Sequence, residues 1–129
     1  MSQPDLPEIV ELDAVLIPEK SNFHISESRH IVVALALFAE TATLHTVTVM
    51  ADSLTDPLTD HVIFGLRDER DTEYRLLGGG HSGVGISVDA HTRFRRPDRQ
   101  RPLALTVSWK RSKANLGGDL FTVDVPSRT

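Results

Sequence analysis

Three segments alternate between apolar and other side chains at every second residue. In LHTVTVMA, Val47, Val49 and Ala51 share one face and Thr46, Thr48 and Met50 the other. In LALTVSW, Leu103, Leu105, Val107 and Trp109 fall together, and in LFTVDV so do Phe121, Val123 and Val125. A period of two carried by β-branched residues is the mark of a strand with one buried face. Other segments join this pattern. The apolar run His30 to Ala39 contains good helix formers in ALALFAETA. Its coupling to the alternating run after it predicts a hairpin instead, with the turn near Glu40 to Ala42. The stretch from Ile9 to Ile17 predicts a strand that ends near Pro18, where the missing N–H stops a ladder. A short helix over Glu8 to Leu16 is the competing reading.

Further along, Val62, Phe64 and Leu66 alternate, the charged RDERDTE predicts a turn, and Tyr74 with Leu76 leads a return strand. SNFHISESR, residues 21–29, and DSLTDPLTD, residues 52–60, read as polar connections. Gly78 to Gly85 reads as a loop, since ordering so many glycines is entropically expensive. Ile86 to Phe94 resumes the strand pattern. The sum is about eight strands separated by turn signals, which predicts an all-β, antiparallel β-sandwich. Residues 8–129 form one domain in this reading, and residues 1–7 a flexible N-terminus.

Aromatic residues make up only 5% of the chain, so the core must rest on Val, Leu, Ile and Ala. The chain has no Cys, which rules out disulfides, thiolate metal sites and Cys nucleophiles. The N-terminal MSQPDLPEIVELDAV carries acids and no basic residue, and so does not read as a signal peptide. The longest apolar run, Ile31 to Ala39, is too short for a membrane-spanning helix. A soluble cytoplasmic protein is the expectation.

The net charge of −4 conceals segregation. Residues 1–28 carry six acids and one Lys, residues 52–73 seven acids and two Arg, and residues 93–113 eight basic residues and one Asp. Within the basic segment, RFRRPDRQR concentrates Arg93, Arg95, Arg96, Arg99 and Arg101. Guanidinium forks suit carboxylates and phosphates, so these five are the candidate interaction residues. The competing role is a charged hairpin that discourages strand-to-strand aggregation. Nucleic acid is a disfavoured partner, because the chain is acidic overall and only Phe94 interleaves the arginines.

Catalytic designs find little support. The six histidines show no H-x-H or H-E-x-x-H spacing, and no metal or cofactor is expected. There is no G-x-S-x-G elbow, and the glycine run lacks the Lys of a phosphate loop. Carboxylates are plentiful, but a sugar-cleaving cleft needs stacking aromatics that are scarce here. Asp52, Asp56 and Asp60 do not match a calcium-loop spacing. Tyr74, His81, Ser82 and His91 remain as candidates for a small-ligand or glycan site around the glycine run.

The motifs VIFGLRDERDTEYRLLGGGHSG, TRFRRPDRQRPLALTVSW and FTVDV together resemble an uncharacterised bacterial β-sandwich family of immunoglobulin-like type. The residues that carry this are Phe64, Leu66, Asp68, Thr72, Tyr74, Gly78 to Gly80, Phe94, Leu103, Leu105, Val107 and Trp109, within about residues 30–125. Asp71 stands where that pattern has a turn glycine. The resemblance implies a fold and no activity. The expected function is a non-enzymatic protein-interaction module, whose partner is another protein or a second copy of the chain in a homodimer. A ligand-binding sandwich and a nucleic-acid backbone binder are the alternatives.

Overall fold

A computed structural model describes residues 12–25, 28–50, 62–82, 87–97, 102–111 and 116–126. The expectations for residues 1–7 and for the acidic connection 52–60 lie outside them. Among the described residues nine strands follow one another: β1 (Leu12–Leu16), β2 (Asn22–Ile25), β3 (Ser28–Phe38), β4 (Thr41–Met50), β5 (Val62–Asp68), β6 (Arg75–Ser82), β7 (Ser87–Arg95), β8 (Ala104–Arg111) and β9 (Gly117–Asp124). They form two antiparallel sheets, the first in the order β1-β3-β4-β7-β6 with β2 also on β3, the second in the order β5-β8-β9. The chain is therefore an all-β sandwich. No helix among the described residues is long and apolar enough to cross a membrane.

Alternation supplies the core. Leu35 and Leu37 of β3, Ala42 and Leu44 of β4, and Leu105 and Val107 of β8 are fully buried, and Phe94 of β7 nearly so. Phe64 and Leu66 of β5 close the layer from the second sheet. Each such Leu or Val contributes roughly 1.5–3 kcal/mol of burial. The helix-capable run Ala34 to Phe38 is strand, held between β1 and β4. Ladder pairing on both sides overrides its intrinsic preference.

Four local expectations are corrected. The connection 21–29 contains β2, whose NFHI alternates exposed and buried, and the Phe23 ring stacks on Phe121 of the other sheet at 5.7 Å. β1 and β2 lie on the same edge of β3, interrupted around Pro18. Second, β5 and β6 are not a hairpin. They belong to different sheets, and it is the chain before β6 that returns along the end of β5, through the bridge Arg67↔Glu73 and the bonds from Tyr74 N–H to the Leu66 carbonyl and from Asp68 N–H to the Thr72 carbonyl. Third, Gly78 to Ser82 is strand, not loop, in continuous register with β7; residues 83–86 are outside the described set. Gly78 sits at φ 146° beside a bulge, a conformation open to glycine. Last, Leu103 does not join Leu105 and Val107 inside. It precedes β8 and is exposed, and its carbonyl accepts from Val125 N–H at 2.8 Å.

The crossing from β5 to β6 is built by two carboxylates. The buried Asp68 Oδ1 accepts from the backbone N–H of Arg70 at 2.9 Å and of Thr72 at 3.0 Å. Glu69 Oε2 accepts from the N–H of Leu103 and of Ala104, tying the turn to the start of β8. Its own backbone N–H and those two donors hold the Glu69 carboxyl below its usual range. Asp71 takes the left-handed conformation at φ 61°, which only Gly, Asn and Asp adopt with ease. Asp71→Gly is therefore expected to leave stability unchanged or raise it by up to about 1 kcal/mol, while Asp71→Val lowers it by about 1–2 kcal/mol. Thermal unfolding of the two variants checks this.

Candidate interaction surface

Strand parity decides which charged groups reach solvent. On β7, Phe94 points into the core, so Arg93 and Arg95 stand on the outer face of the first sheet. Register then builds rows across three strands. Arg95 lies between Thr41 of β4 and Arg75 of β6, and Arg93 between Thr43 and Gly78. His91 lies between His45 and Gly80, and Asp89 between Val47 and Ser82. The two imidazoles of the third row are 6.4 Å apart. A Cβ on Gly80 would come within 3.0 Å of the His91 ring, so glycine is what lets that ring lie over β6.

Arg75, Arg93 and Arg95 are exposed, and among the described residues no ion pair holds any of them. Arg75 faces Arg95 directly across the β6–β7 ladder, an arrangement that disfavours folding. A depression of about 210 Å³ lies there, bounded by Glu73, Arg75, Arg95, Arg96 and Pro97. The outer face of the second sheet is the reverse case. Arg67 of β5 reaches over β8 and donates two hydrogen bonds of 2.7 Å to the Asp119 carboxylate of β9, with Asp71 at 3.4 Å from its Nε. These bonds raise the Arg67 pKa and lower that of Asp119.

The five candidate arginines thus separate. Arg93 and Arg95 share the outer face with Arg75, which sequence reasoning did not single out. Arg96 has the parity of Phe94 and turns inward. Its Nη1 donates to the Asp13 carboxylate at 2.8 Å and to the Phe38 carbonyl, and its backbone N–H donates to the Glu40 carbonyl. It clamps β1, the β3–β4 turn and the end of β7 together. Arg99 and Arg101 lie outside the described residues. The ligand-site candidates separate too. Tyr74 is buried in the core cluster, whereas His91 is on the outer face, so the two do not meet. His81 and Ser82 are ladder partners of Ala90 and Asp89. Among the described residues no three His, Asp or Glu side chains gather around a metal position.

Arg96 and Asp13 are each about nine-tenths buried, and removing one takes the ion-pair partner from a largely buried charge. Arg96→Ala is expected to cost about 2–4 kcal/mol in urea unfolding, against less than about 0.5 kcal/mol for Arg95→Ala.

One buried imidazole lies apart from this surface. His30 of β3 is 4% exposed, with Nδ1 3.0 Å from Thr48 Oγ1 and its ring edge-on to Phe64. Burial pushes its pKa below the ordinary value of 6.5. A base with a depressed folded pKa protonates more readily when unfolded, so its contribution is complete above about pH 6.5 and is lost as the pH falls. Wild-type should lose stability relative to His30→Leu between about pH 6.5 and 5, by at most about 1.4 kcal/mol per pH unit. Paired urea titrations measure the difference.

No family model, curated protein or solved structure matches the chain.

Proposed function

We propose that this domain is a non-enzymatic protein-interaction module that holds an acidic partner surface against the outer face of its first sheet, through Arg75, Arg93 and Arg95. The observation that carries the reading is the Arg75–Arg95 pair, two like charges set opposite each other with no carboxylate among the described residues bound to either. Such a pair works against folding and is relieved when carboxylates bridge the two forks. The contrast with Arg67 and Asp119, whose charges satisfy each other on the opposite face, supports the same surface. Gly78, Gly80, Thr41 and Thr43 are the small neighbours of the arginines in their rows, and the depression between Arg75 and Arg95 is open to solvent. Open faces suit proteins, whereas small ligands are normally enclosed.

In the same reading the chain is an immunoglobulin-like sandwich of the uncharacterised bacterial type. Strands β3 to β9 keep the order of a constant-type sandwich, β3-β4-β7-β6 over β5-β8-β9, with β1 and β2 added at the β3 edge. The Cys-free sequence fits the cytoplasm.

Fluorescence anisotropy with a labelled decaglutamate tests the surface. Binding should weaken steeply with salt, and Arg75→Glu or Arg95→Glu should weaken it at least tenfold while Arg67→Glu has less effect. Absence of binding at low salt would sink the reading. Tighter, equally Arg-dependent binding of a single-stranded oligonucleotide would replace it with the nucleic-acid alternative.

A further inference from the structure

A β-sandwich must protect the unpaired backbone groups on its outermost strands. Among the described strands, three of the four sheet edges are protected. The β1–β2 edge is interrupted around Pro18. The inner end of β5 is overlaid by the returning chain, through the Arg67↔Glu73 bridge and the Tyr74 N–H. The β9 edge carries Asp119 and Asp124 and an irregular register near Phe121.

The outer edge of β6 differs. Its bulge lies near the start, and Gly78 to Ser82 then run in unbroken register with β7. Three of those five residues are glycines, so a neighbouring backbone can approach closely. Leu76 and Leu77 beside them are 48% and 44% exposed. Apart from His81, the strand holds one ionisable residue, Arg75 at its first position.

We infer that β6 pairs antiparallel with β6 of a second copy, joining the two first sheets into one. Charge selects this occupant. Along the outer face, the β6 edge is basic at one end, where Arg75 meets Arg95, and acidic at the other, where Asp89 lies in the row of Ser82. A two-fold axis at Gly80 sets the basic end of each copy beside the acidic end of the other, with β7 of the second copy two strand spacings, about 10 Å, from β6. Parallel pairing would instead stack Arg75 on Arg75. A strand pair alone buries less than the roughly 1,000 Å² of a firm interface, so the dimer forms and dissociates with concentration.

Sedimentation from micromolar to millimolar protein should show the mass rise from monomer to dimer. Asp89→Arg should weaken association at least tenfold, with circular dichroism unchanged. The chain has no Cys, so a nitroxide on Leu77→Cys is unique. Leu77 lies three residues from the axis, which places the two labels about 20 Å apart at strand rise. A monomer at every concentration overturns the inference. So does an Asp89→Arg dimer as tight as wild-type, or a label separation below about 10 Å, as parallel pairing gives.

Discussion

A thin layer of aliphatic side chains between the sheets governs the rest of the molecule. Leu35, Leu37, Leu44, Leu105 and Val107 are wholly out of water, and few aromatic rings assist them. Because strand side chains alternate strictly, placing one residue of a strand in that layer fixes the side taken by its neighbours. Phe94 inside means Arg93 and Arg95 outside and Arg96 inside. The surface chemistry of β7 is thus a consequence of packing. The carboxylates of Asp68 and Glu69 then let the chain leave one sheet and join the other without stranding backbone donors.

The two outer faces divide the electrostatics. On the second sheet, Arg67 and Asp119 neutralise each other across three strands with Asp71 of the turn beside them, an exposed arrangement of small energetic weight. On the first sheet, three guanidiniums and two imidazoles occupy adjoining rows, with Glu73 and Asp89 at the margins. A chain with net charge −4 therefore presents a local basic surface. Charge lost in the total is recovered once the fold sorts it by face.

Much of this was legible in the alternating segments. Leu105 to Trp109 and Phe121 to Val125 gave both strand and face correctly, whereas Thr46 to Val49 gave the strand but not the face: Thr46 follows Leu44 into the core and Val47 stands outside, because the parity of Ala42 and Leu44 fixes that of the β-branched residues after them. The β3–β4 hairpin was readable from two adjacent runs of matching length, although its turn falls at Ala39 and Glu40. What local reading missed has identifiable causes. β2 is only four residues long, and its alternation of Phe23 and Ile25 was hidden among polar neighbours. The glycines of β6 carry no strand preference of their own and are ordered by pairing with β7. That β5 and β6 part company depends on which sheet each joins, a tertiary fact. Arg96 could have been set apart from the other arginines by carrying the parity of Phe94 two residues further.

The pairing of the strands also dictates an order of assembly. β2, β3 and β4 are neighbours both in sequence and in space, so their ladders close small loops. β5 must wait for β8, since Val62 pairs with Arg111 and Asp68 with Leu105, and β4 must wait for β7, since Thr41 pairs with Arg95. Closing such large loops slows folding. The N-terminal meander can therefore exist before the second sheet does, and for that interval the inner faces of β3 and β4 have no cover. The Asp68 turn stands at the branch point of this sequence of events, where β5 on one side and β6 on the other belong to different sheets.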